Sequence, residues 1–174
     1  MILATDFKCF VKILFSVCLL FFQRASIFAQ NQKVADSLVK IYQKNKLENS
    51  EKLELLRNLS FNEVNNLELS LKYADELIAL SKLEKNYLYL HRGYYQKGNK
   101  NRLIGDLNKA LNDFFKSAEA ASKAKFITGK GVAYMSIADV YSIMGNANNA
   151  EVYYTKSIDL LRKTKDSIAL ASAL

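Results

Sequence analysis

Proline and tryptophan are absent from the 174 residues of this chain, cysteine occurs twice and histidine once. Without proline the commonest helix breaker is missing. Leu, Ala, Lys and Glu, good helix formers, are abundant, so an all-α fold is expected. No Gly/Ser/Pro linker or low-complexity tract divides the chain. Both cysteines, Cys9 and Cys18, fall within the first 29 residues. That segment reads as a secretory leader: Lys8 and Lys12 precede an apolar run, Ile13 to Phe22, broken only by Ser16. The run is well short of the ~20 residues that span a bilayer. Cleavage after Ala29 leaves Gln30 at the mature N-terminus, with Ile27 where a small residue is preferred. Cys18 lacks the small residue before it and the polar stretch after it that lipid attachment requires. Removing the leader leaves no thiol, which excludes a disulfide, a zinc-thiolate site and a cysteine nucleophile.

The formal net charge is +8. Without Lys8, Lys12, Arg24 and Asp6 the mature chain keeps 22 basic and 16 acidic residues, a balance of +6. Lys97, Lys100, Arg102, Lys109, Lys116, Lys123, Lys125 and Lys130 are scattered along the chain and read as solvated helix faces and loops. A nucleic-acid groove needs such residues on one face, so no nucleic-acid partner is expected. His91 stands alone and reads as a surface or packing residue; no metal site or other cofactor is expected. Gly129-Lys130-Gly131 lacks the phosphate-loop pattern and reads as a helix–helix turn. Glu51 and Glu54 read as a solvated helix face. Ten tyrosines remain in the mature chain, most at the spacing of a helical core.

What is present is a pattern that returns every 40 residues. Ser70, Ala110 and Ala150 keep this spacing, as do Ile78, Ala118 and Ile158. Phe114 pairs with Tyr154, Gly105 with Gly145, and Tyr94 with Tyr134. A fixed period of this length signals stacked supersecondary units, each buried only against its neighbours. The apolar periodicity and polar punctuation place helices at 31–45 (Val34, Leu38 and Ile41 on one face), from an N-cap at Ser50 to Phe61, from 67 to about 80, and from Asn86 to about Leu103. Further helices run from Asp106 to about Lys123, from Ile127 to Met144 and from Ala147 to about Lys163. Asp166 and Ser167 are placed to cap an eighth. The domain organisation is a leader at 1–29, an N-terminal helix and turn at 30–49, and repeats over 50–174.

Around Gly145 the residues Tyr134, Ile137, Ala138, Tyr141, Ala150, Tyr154 and Ser157 resemble the tetratricopeptide repeat (TPR), although Arg162 stands at the closing proline. Tyr94, Gly98, Gly105, Ala110, Phe114 and Ser117 form a second match, with Lys97 and Asn101 departing from the usual Leu and Tyr. A weaker third keeps Phe61, Ser70, Ala74 and Leu77. The period exceeds the family's usual ~34 residues, so the extra length belongs to the end of the second helix or the turn after it.

The resemblance implies a right-handed helical solenoid of antiparallel helix hairpins, about three with the start of a fourth. It implies small residues at Ala110 and Ala150 where paired helices approach, and aromatics at Phe114 and Tyr154 filling the gap to the next hairpin. It also implies a concave groove lined by Arg92, Tyr95, Asn99, Arg102 and Leu103, then Val132, Met135, Asp139, Ser142 and Ile143. Asn99 fits one place of the family's carboxylate clamp, but the lysines are out of register, so no clamp is expected. The function expected is a non-catalytic, exported scaffold, periplasmic or secreted, that binds a protein or peptide and no small-molecule substrate. The alternative is the front part of a bacterial membrane sensor, since another unit begins near Ala171 and Leu174. In that form a transmembrane helix and an output domain follow, such as a histidine kinase, nucleotide cyclase or transcriptional regulator. The apolar last helix also points to self-association.

Overall fold

Helix boundaries fall where the polar punctuation stands. The computed structural model describes residues 32–44, 46–164, 169, 172 and 173, and among these the chain is all-helical with no strand. The leader, both cysteines and the Asp166–Ser167 cap lie outside the described residues. α1 covers 32–44. It is followed by α2 (Asn49–Asn62), α3 (Leu67–Leu83), α4 (Tyr87–Leu103), α5 (Leu107–Lys123), α6 (Ile127–Ile143) and α7 (Ala147–Leu161). From α4 onward each helix starts 20 residues after the previous one, and α3 to α6 each contain 17 residues.

The regularity comes from the turns. Lys85, Gly105, Lys125 and Gly145 all have φ between 52° and 80°. In every case this left-handed residue donates its N–H to the carbonyl three residues back, and the next residue donates to the carbonyl five back. Gly105 N bonds Arg102 O at 3.1 Å and Asp106 N bonds Asn101 O at 2.9 Å. This is the Schellman arrangement, which satisfies the carbonyls orphaned at a helix end. The following residue then caps the next helix: Asn86, Asp106 and Asn146 accept from the backbone N–H groups of Tyr89, Lys109 and Asn149. Phe126 occupies the equivalent place without a capping side chain.

Three expectations need correction. Ser50 is not a cap: α2 begins at Asn49, and Glu48 at the N-cap makes no side-chain bond. Gly129-Lys130-Gly131 lies inside α6 rather than in a turn, because the Schellman turn closes earlier, at Lys125 and Phe126. On α1 the inward stripe is the buried Ala35 with the partly buried Leu38, Val39 and Tyr42, whereas Val34 and Ile41 are 42% and 43% exposed. That stripe follows the i, i+3, i+4, i+7 rule. Most tyrosines do belong to the core, as their spacing suggested: Tyr73 is buried, and Tyr42, Tyr89, Tyr95, Tyr134, Tyr141 and Tyr153 are partly buried and pack against buried apolar residues. Where hydroxyls are bonded the partners are protein groups: Tyr42 donates to Glu76, Tyr89 to Glu54 and Tyr154 to Asp139.

Adjacent helices from α2 to α7 pack in sequence order. α2 also approaches α4, and α4 approaches α6, within 8 Å between Cα atoms; no such approach joins α3 to α5 or α5 to α7. Two clusters form the interior. Leu53, Leu56, Leu59, Tyr73 and Leu77 join α2 to α3 beneath α1. Ala110, Phe114, Ile137 and Val140 join α5 to α6, with Tyr95 of α4 against them. Ser70, Ala110 and Ala150 are all buried, as small residues at a close helix approach should be. Ser117 Oγ donates to His91 O at 3.1 Å, and Ser157 Oγ donates to Gly131 O at 2.8 Å, the same bond one period later. The stretch from Ser117 to Lys123 is helical and the turn after it is as short as the others, so the extra length of the period lies in the helix.

Phe114 is fully buried, and a Cβ added at Gly98 would sit 2.8 Å from its ring. Alanine at position 98 gains about 1 kcal/mol of helix propensity but overpacks a rigid ring, which costs about 1–3 kcal/mol. Gly98→Ala is therefore expected to lower the urea midpoint; a raised midpoint would mean that Phe114 does not seat on Gly98.

Candidate functional site

α2, α4 and α6 form a row in which α4 approaches both of the others, and the 40-residue spacing puts matching positions of α4 and α6 on the same face. On α4, Arg92 is half-buried, with its guanidinium 4.9 Å from the Tyr89 ring centroid and Nη1 3.7 Å from Glu54 Oε2. Asn99 is partly exposed and makes no side-chain hydrogen bond among the described residues. Arg102 is partly buried, and its Nε has no partner among them. On α6, Val132 and Met135 are partly buried and Ser142 is exposed. Leu103 and Ile143, one period apart, are 72% and 59% exposed.

Besides Arg92, two further expected groove residues are engaged internally. The Tyr95 ring packs 5.7 Å from Phe114 and 6.0 Å from His91, and its hydroxyl accepts from Ser136 Oγ at 3.4 Å. Asp139 Oδ1 accepts from the Tyr154 hydroxyl at 2.7 Å; this bond, with burial, pushes the phenol up to about 12. Tyr154 thus ties α7 to α6 through its polar end, whereas Phe114 fills its place as an apolar plug. Of the other expected residues, Arg92 rests on Glu54 and Tyr89, Asn99, Arg102 and Met135 are partly exposed, and Ser142 is exposed.

Glu54 is not a merely solvated carboxylate. Its Oε1 accepts from Arg57 Nη2 at 2.6 Å and from Asn58 Nδ2 at 3.1 Å, and its Oε2 accepts from the Tyr89 hydroxyl at 2.9 Å. The Arg57 bond leads in holding its carboxyl below the usual range. Beside it opens a cavity of about 620 Å³ between α1, α2 and α4, with Leu38, Ile41, Leu47, Leu55 and Tyr89 in its wall. Arg57 and Asn58, three and four residues after Glu54, were the available sequence signal for this cluster; Tyr89, much further along, gave none.

The lysines are less scattered in space than in sequence. Lys82, Lys97, Lys109 and Lys116 line a cleft of about 440 Å³ between α3 and α5 whose floor is α4. Lys100 is not solvated at all: it is 8% exposed, Nζ donates to Glu63 O at 3.2 Å, and burial lowers its pKa. No group of three or more His, Cys, Asp or Glu placed to hold a metal occurs among the described residues, and no described helix is long and apolar enough to cross a membrane.

His91 is a packing residue at the meeting of α4, α5 and α6. Ser117 Oγ lies 2.8 Å from its Nδ1, the Phe126 ring 5.6 Å from its ring, and a Cβ on Gly129 would come within 2.7 Å of Nε2. Burial holds its pKa below the ordinary value. Below about pH 6.5 the unfolded chain therefore takes up a proton that the folded chain resists, and stability falls as pH falls. Urea melts between about pH 7.5 and 5.5 are expected to show this loss, with a smaller slope in His91→Gln; an unchanged slope would remove His91 from the account. No family model matches this chain, and no curated protein sequence matches it.

Proposed function

We propose that the chain is a TPR-type repeat array, a solenoid of helix hairpins, that holds a peptide segment of a partner protein on the face shared by α2, α4 and α6 and performs no reaction itself. The observation that carries this reading is that α4 approaches both α2 and α6, while α3, α5 and α7 stay apart. In a curved stack, the row whose members approach one another lies on the inside, and repeat arrays use such concave surfaces for binding.

The chemistry of the strip fits a peptide. Asn99, Arg102 and Ser142 supply donors and acceptors for a backbone, while Leu103 and Ile143 offer exposed apolar surface whose burial yields about 25 cal/mol per Å². The cavity beside Tyr89 is large enough to take an apolar side chain. With residues 1–29 read as a leader, the proposed location is periplasmic or secreted.

Peptides selected from a displayed library on the wild-type protein are expected to lose at least about tenfold in affinity for an Arg92→Ala, Asn99→Ala, Met135→Ala variant. Equal binding to that variant would place the peptide surface elsewhere.

A further inference from the structure

The face opposite that strip carries a second feature. Because α3 and α5 do not approach each other, α4 is open to solvent between them, and the opening is a cleft rather than a flat surface. It has two lobes, of about 440 and 240 Å³, that share Lys82, Tyr94 and Lys116. Lys82 Nζ and Lys116 Nζ each lie 5.7 Å from the centroid of the Tyr94 ring, one from α3 and the other from α5. The ring attracts both ammonium groups and holds them at the waist of the cleft.

The surrounding charges decide which cations are available. Lys97 is bonded to Asp75 at 2.6 Å, Lys109 to Asp106 at 2.7 Å and Lys123 to Glu119 at 2.7 Å. Lys82 and Lys116 have no ion pair among the described residues. Asp113, at the floor, is buried and accepts from Asn101 Nδ2 at 2.7 Å. The cleft therefore presents at its centre two cations without an ion pair, of which Lys116 also feels the buried Asp113 carboxyl, with ion-paired lysines around them.

We infer that this cleft binds an acidic peptide segment, with side-chain carboxylates held by Lys82 and Lys116 across Tyr94. The floor from Leu90 to Asn101 is about 16 Å long, room for about five extended residues. A peptide suits the mixed lining because its N–H groups can donate to the carboxylates Asp75 and Glu119 while its acid groups meet the lysines. A nucleic-acid backbone carries a negative charge at every step and would meet those carboxylates unfavourably. The faces of Tyr94, already covered by lysines, offer no base a stacking platform.

The test is fluorescence anisotropy of the full chain with a labelled peptide of about eight residues in which Glu alternates with Ser, with a Gln-for-Glu analogue and an oligothymidylate as comparisons. The acidic peptide is expected to bind, and to bind more weakly as NaCl rises from about 50 to about 300 mM. Lys82→Glu with Lys116→Glu is expected to weaken it at least about tenfold. Arg92→Ala with Asn99→Ala, on the other face, is expected to leave it unchanged, which separates this inference from the proposed groove. Helicity and melting temperature of each variant check that these surface changes leave the fold intact. Equal binding of the Gln analogue, unchanged binding by the lysine variant, or loss in the Arg92 and Asn99 variant would overturn the inference. Tighter binding of the oligothymidylate would replace the peptide with a nucleic acid.

Discussion

The array from α3 to α7 depends on a left-handed residue at every twentieth position. Lys85, Gly105, Lys125 and Gly145 close four helices with the same pair of backbone hydrogen bonds. A helix that ends this way and restarts two residues later is fixed in length and in direction relative to its neighbour. Two of the four are lysines, for which the left-handed region is costly by roughly 1–2 kcal/mol. The turn recurs regardless, so the hydrogen bonds and the packing on either side outweigh the backbone cost.

From that phase the side-chain contacts follow. Ser117 and Ser157 bond to equivalent carbonyls on the preceding helices. Asn101 bonds to Asp113, and one period later Tyr141 stacks on Tyr153 at 5.7 Å between centroids. One geometric position is thus filled by a polar pair in one hairpin and by an aromatic pair in the next. The backbone spacing is the conserved quantity within the molecule, and the chemistry varies upon it. The same spacing creates two unlike faces: a row of approaching helices bearing Arg92, Asn99 and Met135, and a gapped row whose clefts gather lysines over tyrosine rings.

Much of this was legible in the chain. Glycine at 105 and 145 and the caps at 86, 106 and 146 marked the turns, and the small buried residues 70, 110 and 150 marked the helix approaches. The visible period was 40 because glycine occupies only alternate turns. Lys85 and Lys125 adopt the same conformation without a residue type that advertises it, so the 20-residue unit was hidden. Contacts spanning tens of residues were not legible either. Tyr89 reaches back to Glu54, Lys82 and Lys116 converge on Tyr94 from two different helices, and Lys100 finds a carbonyl at Glu63. None of these has a local pattern, since each depends on how the helices are rotated against one another. The same reason explains why Tyr95 and Asp139, expected by register to line a groove, turn out to be held by internal partners.

The central claim is that the helices are interchangeable units set by the turns, and excision tests it most directly. Removing residues 87–126, α4 and α5 with their turns, joins Asn86 to Ile127 and keeps the phase of cap and helix. This shortened chain is expected to remain helical and to melt cooperatively, whereas a chain lacking only 87–124, two residues fewer, is not. Loss of cooperative melting in the in-phase deletion, or equal melting of the two, would contradict that claim.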